Sequence, residues 1–424
     1  MKQMLFKLII LCMTTIVLSS CSWLYLNGDS PSDKKKFASY SVSADQIPAD
    51  VKPLHSTPQA QILLEEFRKP AFSAFVELPT SVQGLPSDSN AIVYDKALFT
   101  EDTTWRGTVI VRGFVVIAPQ ATLRIEAGTV VRFAGVGNDA ARLIIQGRIQ
   151  GVGTVERPIV LTSDRLKPAK GDWGGISLVS SEKRNILEHC RIEYAASGIE
   201  ASFSTISLKA ATIKRCNSGI MMRDSVVQFT GGSVTESEVG IEINDSESEL
   251  RELSVASCKS GIIMNRSSVG ISSLKIIDND LYGIRSDDCR VKITSADISG
   301  NGAGVRLKGG EGQIVATRFS GNRETALHLS GSRIKLQRCQ FIDNSQNALH
   351  LEDGRALVWG NSFNGNKGFN LYNNGREDVV ALQNWWGSSD RSAIIQKIYD
   401  AVRDPRSGNV QLYPWLNEKP QQLQ

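Results

Sequence analysis

The chain has 424 residues, 41% hydrophobic and 22% charged, with 48 Lys+Arg against 44 Asp+Glu for a formal net charge of +4. That composition excludes a disordered chain, a collagen and a polytopic membrane protein. The charge is too small for its length to argue for nucleic acid, and four histidines give no His-rich metal site.

Residues 1–20 form a leader outside the fold. Lys2 and Lys7 supply a positive start, and Leu8–Leu18 is apolar but too short to span a bilayer. Leu18-Ser19-Ser20-Cys21 follows. It resembles a bacterial lipobox, which implies cleavage before Cys21 and acylation of its thiol. Ser22, rather than Asp, at the next position implies the outer membrane by the same resemblance. The mature chain is nearly neutral. Residues 21–58 are polar and unpatterned, a tether. Residues 59–100 form a lead-in, with a short helix predicted from Thr57 to Arg68 and stopped by Pro70.

From Trp105 the pattern changes to short alternating runs. Val109, Val111, Val115, Ile117, Leu123 and Ile125 alternate with other residues, with Gly113, Pro119 and Gly128 between runs. This is strand patterning.

An internal repeat organises the rest. A small residue followed by an aliphatic occurs at Gly198-Ile199, Gly219-Ile220, Gly240-Ile241, Gly261-Ile262, Gly283-Ile284, Gly304-Val305, Ala326-Leu327 and Ala348-Leu349. The spacings are 21 or 22 residues throughout. A small or amide residue precedes each dipeptide from the second onward: Cys216, Ser237, Cys258, Asn279, Asn301, Asn322 and Asn344. Such a unit holds three short strands and cannot bury its own apolar face. Stacked units pair every strand in parallel and form inward apolar ladders. A buried amide at the same bend of each unit can serve its own backbone and the next rung. The remaining cysteines, Cys190, Cys216, Cys258, Cys289 and Cys339, are odd in number and widely spaced, which fits buried single thiols rather than disulfides or zinc.

This text resembles the right-handed parallel β-helix proteins of the pectin-lyase-like group. Thr104-Trp105-Arg106-Gly107 with 121–131 resembles their opening coils. Asn384-Trp385-Trp386-Gly387 and Tyr413-Pro414-Trp415-Leu416 resemble their closing segment. The implied fold is all-β, a right-handed parallel β-helix over 101–387, with a C-terminal cap and tail over 388–424. A capping helix is predicted after Ser388 or Ser389, with Ile394, Ile395, Ile398 and Val402 as its apolar stripe and Pro405 as its stop. The group includes lyases, hydrolases and epimerases, so fold does not settle function.

No complete catalytic motif is present. Asp287-Asp288 and Arg333-Ile334-Lys335 match two of the four polygalacturonase motifs, and the other two are absent. Arg333-Ile334-Lys335 is also an ordinary strand with Ile334 inward. Trp173 can stack on a sugar or pack at a bend, and packing is the simpler account. Trp385, Trp386 and Trp415 fit the cap, and Trp359 fits an exposed strand end.

The remaining candidate is an outward stripe. Its first column reads Glu200, Met221, Glu242, Ile263, Arg285, Arg306, His328 and His350. Its second reads Ser202, Arg223, Asn244, Asn265, Asp287, Lys308, Ser330 and Glu352. The lower half, Arg285, Asp287, Arg306, Lys308, His328, His350 and Glu352, is the candidate polysaccharide-binding site. A solvated face with ion pairs across rungs explains the same residues. Two function classes follow: a lipid-anchored envelope protein that binds acidic polysaccharide or acts as a scaffold, and a polysaccharide lyase or hydrolase. No cofactor is implied, and calcium enters only with a lyase.

Overall fold

The computed structural model describes residues 90–420, apart from 136–139, 182 and the final four residues of the chain. The leader, Cys21, the tether, the helix expected at 57–68 and most of the lead-in lie outside the described residues.

The described chain is an all-β parallel solenoid with three strands per coil. Face I is a fourteen-stranded sheet running from Ala97–Phe99 to Ile398–Tyr399. Faces II and III make up one 25-stranded sheet, because Thr205–Lys214 and Val226–Thr235 run as continuous strands through the bend between them. Every strand pairs in parallel with its equivalent in the neighbouring coil, as Ile220 with Ile241 and Ile241 with Ile262. The ladder already includes Ile92–Tyr94, paired with Val109–Val111, so the solenoid begins before residue 101. It continues past 387, where Ile398–Tyr399 pair with Leu371–Tyr372 and Val410–Gln411 with Val379–Val380.

The alternation expected from sequence is present. Ile199, Ile220, Ile241, Ile262, Ile284 and Val305 are fully buried, and so are Ala201, Met222, Ile243 and Met264 two places on. On face III, Phe319, Phe341, Phe363 and Trp386 form an internal ring stack with centroids 4.8, 4.9 and 4.6 Å apart. Offset-parallel rings suit this spacing because one coil is about 4.8 Å high. The small residue of the dipeptide has a steric reason: a Cβ at Gly219 would lie 2.5 Å from the carbonyl oxygen of Gly240.

The bends carry the polar part of the core. Between faces I and II the chain turns at one left-handed residue per coil, among them Asp224, Asp245 and Asp288 with φ of 47°, 49° and 51°. Such a conformation costs about 1–2 kcal/mol in an L-residue. Hydrogen bonds between coils offset it, as Asp245 N–H donating to the Asn265 carbonyl. The next residue inward is Ser204, Ser225, Ser246 or Ser267, each hydroxyl accepting from the backbone N–H one coil earlier at 3.0–3.1 Å. At the bend between faces III and I the amides do this work. Asn301, Asn322, Asn344 and Asn366 each accept, through Oδ1, both the backbone N–H and the Nδ2 of the preceding asparagine. Their own Nδ2 groups also reach carbonyls such as those of Ile276 and Ile298 at 2.9–3.0 Å. Each buried amide is thereby satisfied on both ends.

The five cysteines among the described residues are all buried and free. Burial pushes the Cys190 and Cys339 thiols up to about 12 and Cys216 to about 11. These three thiols are therefore protonated fillers rather than nucleophiles.

The C-terminal helix differs from expectation. It spans only Arg391–Gln396, and its N-cap is Asp390, whose side chain accepts from Ala393 N. Ile394 alone in it is buried, while Ile395 and Val402 are exposed. Ile398 is buried as a strand residue. The open edge at Leu371–Asn373 offers unpaired backbone groups, and pairing with it wins over further helix.

Replacing Ile243 by Asp puts a carboxylate between Met222 and Met264 with no partner, and is expected to cost more than about 3 kcal/mol. Glu242→Lys, one position away and outward, is expected to change stability by less than about 0.5 kcal/mol. Thermal melts of the two variants check this; equal losses would refute the register.

Candidate functional site

The structure places the predicted stripe on the outer side of face I and in register. Ile263 pairs with Arg285, Arg285 with Arg306, Arg306 with His328, and His328 with His350. The second column pairs Asp287 with Lys308, Lys308 with Ser330, and Ser330 with Glu352. All seven predicted residues of the lower half therefore share one surface. Their positions follow from strand alternation: Ile284, Ser286, Val305 and Leu307 point inward between them.

The charges are unevenly compensated. Arg285 Nε lies 3.5 Å from Asp287 Oδ2 on its own strand. His328 Nε2 lies 3.3 Å from Glu352 Oε2 across one rung. Arg306 and Lys308 are exposed and have no ion-pair partner among the described residues. The free positive charge of the stripe is thus concentrated on these two side chains.

The histidines play a different part from the one sequence suggested. Their rings stack nearly parallel, with centroids 4.2 Å apart and 7° between planes. Burial holds His328 below the usual imidazole range, reinforced by His350 and Arg306 and partly opposed by Glu352. Burial likewise lowers His350, opposed by the hydrogen bond to Asn374. Its Nε2 lies 2.9 Å from Asn374 Oδ1. At neutral pH both imidazoles are uncharged, so they supply hydrogen-bonding edges rather than positive charge.

The column continues beyond the predicted residues. His350 pairs with Tyr372, and Tyr372 with Tyr399. Tyr372 meets His350 edge-on at 4.8 Å and stacks on Tyr399 at 4.3 Å. From Tyr282–Asp287 to Ile398–Tyr399 the strip crosses six rungs, about 24 Å at the normal strand spacing. Sequence reading missed Tyr372, Tyr399 and Asn374. The small-aliphatic dipeptide stops at Ala348-Leu349, and the next coil has Asn370-Leu371 instead. Counting 22 residues on from His350 is the signal that finds Tyr372.

Other candidates separate. Asp287 faces outward on face I, whereas Asp288 is a bend residue with φ of 51°. Arg333 and Lys335 lie exposed on face II with Ile334 buried between them, as an ordinary strand. The two partial motifs do not converge. Trp173 is fully buried, stacked on Phe133 at 3.9 Å with its Nε1 donating to the Glu193 carbonyl. Trp386 is buried beneath the cap and Trp359 is exposed. Among the described residues no group of three or more His, Cys, Asp or Glu side chains is arranged to hold a metal ion.

Because both histidines titrate below their unfolded value of about 6.5, their contribution to stability is complete above that pH. It is lost as pH falls through 6.5 toward the folded values, where the unfolded chain binds protons first. Melts between pH 7.5 and 5 should show a decline that the His328→Gln/His350→Gln variant flattens. An identical pH slope in that variant would refute the assignment.

Comparison with known proteins agrees with this architecture. The family model described as pectate-lyase-like beta helix domain matches residues 97–245, and that of the right handed beta helix region matches 239–385. No curated protein matches the chain. Among solved structures, a periplasmic alginate epimerase is 12% identical with a TM-score of 0.43, covering 73% of this chain and 78% of its own. The A-module of an Azotobacter vinelandii mannuronan C-5 epimerase is 14% identical with a TM-score of 0.37, covering 74% and 91%. A tailspike protein of bacteriophage CBA120 is 9% identical with a TM-score of 0.27, covering 77% and 56%. The strands, their parallel register and the two family matches together show that residues 97–385 belong to the pectate-lyase-like right-handed β-helix family.

Proposed function

We propose that this protein is a cell-envelope β-helix, anchored at the outer membrane through acylated Cys21, that binds an acidic polysaccharide along the lower half of face I. The observation that supports it is one column: Arg285, Arg306, His328, His350, Tyr372 and Tyr399 stand on successive rungs. Arg306 and Lys308 have no ion-pair partner among the described residues, so carboxylates of a ligand need not displace an internal acid. The parallel His328 and His350 rings stack along the solenoid axis and continue the column between Arg306 and Tyr372. A polymer with charges along a line matches a strip with complementary groups along a line.

Arg306→Ala/Lys308→Ala is expected to weaken binding of polygalacturonate at least tenfold at low ionic strength and to flatten its salt dependence. Its melting temperature should stay near that of wild type, since both side chains are exposed. Wild-type affinity should rise as pH falls through the histidines' range, because protonated imidazoles add charge. Isothermal titration calorimetry measures the affinity with its salt and pH dependence, and a thermal melt checks the stability. No binding by wild type, or equal binding by the variant, would leave the strip a solvated surface. For the anchor, Cys21→Ser should free the protein from the membrane fraction or leave the precursor uncut; normal retention would refute lipidation.

A second reading draws on the neutral histidines. An uncharged imidazole one rung from Arg306 is what proton abstraction beside a bound carboxylate requires. His350 or His328 would take the C5 proton of a uronate while Arg306 holds its carboxylate; the carbanion then either expels the C4 glycosidic oxygen, protonated by water, to give an unsaturated residue, or is reprotonated by water at C5 from the opposite face. Prolonged incubation with alginate and polygalacturonate should then give unsaturated or epimerised residues, and His350→Ala with His328→Ala should abolish them. Unchanged polymer supports the binding role alone.

A further inference from the structure

A groove of about 790 Å³ runs along face II, on the other side of the serine bend from the strip just described. Of the two partial motifs, Arg333-Ile334-Lys335 lies in it, and the outward stripe does not. It crosses successive strands from Glu247–Arg251 to Val379–Val380, seven rungs and about 29 Å of axis.

The groove is the trough between two outward columns of this face, one holding Arg290 and Arg333 and the other Lys292, Gln313 and Lys335. Between them the inward residues Val291 and Ile334 are buried. A Cβ at Gly312 would lie 1.9 Å from the Val291 carbonyl oxygen, so the sheet is close-packed there. At the lower end Leu357 and Val380 are exposed and give the groove an apolar patch.

The walls are cationic. Arg290, Lys292, Arg333, Lys335 and Arg355 line the groove against Glu249 and Glu311. Arg290 is engaged by Glu311 at 3.2 Å and Arg355 by Glu377 at 3.5 Å. Lys292, Arg333 and Lys335 are exposed and have no ion-pair partner among the described residues. Lys292 and Lys335 occupy the same outward column on either side of Gln313. They therefore stand two rungs apart, about 10 Å along the axis, with an amide between them. Arg333 flanks Lys335 on the same strand.

An apolar patch at one end, an amide and spaced unpaired cations along an axial groove fit a linear polymer whose units each carry an apolar ring face, hydroxyls and a periodic negative charge. An acyl chain needs a deep apolar cleft, and this groove is shallow and walled by charge. We propose that the face II groove is a second site for a linear anionic glycan, independent of the face I strip. The protein would then hold such a polymer on two faces of one solenoid, and could bridge two strands of it.

The test uses the full chain in non-ionic detergent, titrated calorimetrically with polygalacturonate oligomers of defined length. Poly-glutamate and anionic phospholipid vesicles serve as the other polyanions. Lys292→Ala/Lys335→Ala is expected to remove one class of sites, weakening it at least tenfold, with an unchanged melting temperature. Lys292→Arg/Lys335→Arg should retain it. Combination with Arg306→Ala/Lys308→Ala should remove the remainder. If the face II variant matches wild type in stoichiometry and salt dependence while the face I variant loses all binding, the groove proposal fails and the strip stands. If the face II variant loses all binding, the strip fails and the groove stands. Equal affinity of the groove for poly-glutamate or vesicles would overturn the glycan assignment, and a wild type that binds no anionic glycan would overturn both.

Discussion

Every feature of this protein depends on one constraint: equivalent bends must stack in register, one coil height apart. The backbone hydrogen bonds of all three faces run between coils, so a bend that drifted would unpair three strands at once. The asparagine and serine ladders meet this constraint directly. Asn322 accepts two hydrogen bonds from Asn301 and donates to Asn344 and to the Ile298 carbonyl, so its position is set from both neighbours and from an adjacent coil. Left-handed residues that are costly one by one become tolerable when the turn they allow is hydrogen-bonded on every rung.

The same stacking converts sequence period into surface pattern. Residues 21 or 22 apart become neighbours at about 4.8 Å, so a weak preference for one residue type at one place in the repeat becomes a continuous column. Arg285 and Arg306, or His328 and His350, are distant in sequence and adjacent in space. A solenoid therefore presents linear arrays, and linear polymers are the ligands whose chemistry repeats along a line. Both the face I strip and the face II groove are consequences of this geometry rather than of any special loop.

Electrostatics on such a surface depends on partners along and across rungs. Asp287 partly neutralises Arg285 on its own strand, while Arg306 and Lys308 escape compensation. Burial holds His328 and His350 below the usual imidazole range, so at neutral pH they are uncharged hydrogen-bonding groups rather than cations. A list of basic residues overstates the charge of the site, and only the geometry corrects it.

The sequence by itself determined the repeat length, the all-β parallel class, the inward columns and the register of the outward stripe. These are one-dimensional properties: alternation assigns side, and the dipeptide period assigns neighbours. It also marked the buried thiols and the amide column, since a small or amide residue recurs at one bend. The tertiary structure decided what periodicity does not encode. It ended the helix at Gln396 because an open strand edge competes for the chain, and it extended the stripe to Tyr372 and Tyr399 where the dipeptide text had lapsed. It separated Asp287 from Asp288 and put Arg333 and Lys335 on another face, because a single left-handed residue redirects the strand that follows. It set the face II groove between the Arg290–Arg333 and Lys292–Lys335 columns, whose members become neighbours only when the coils stack.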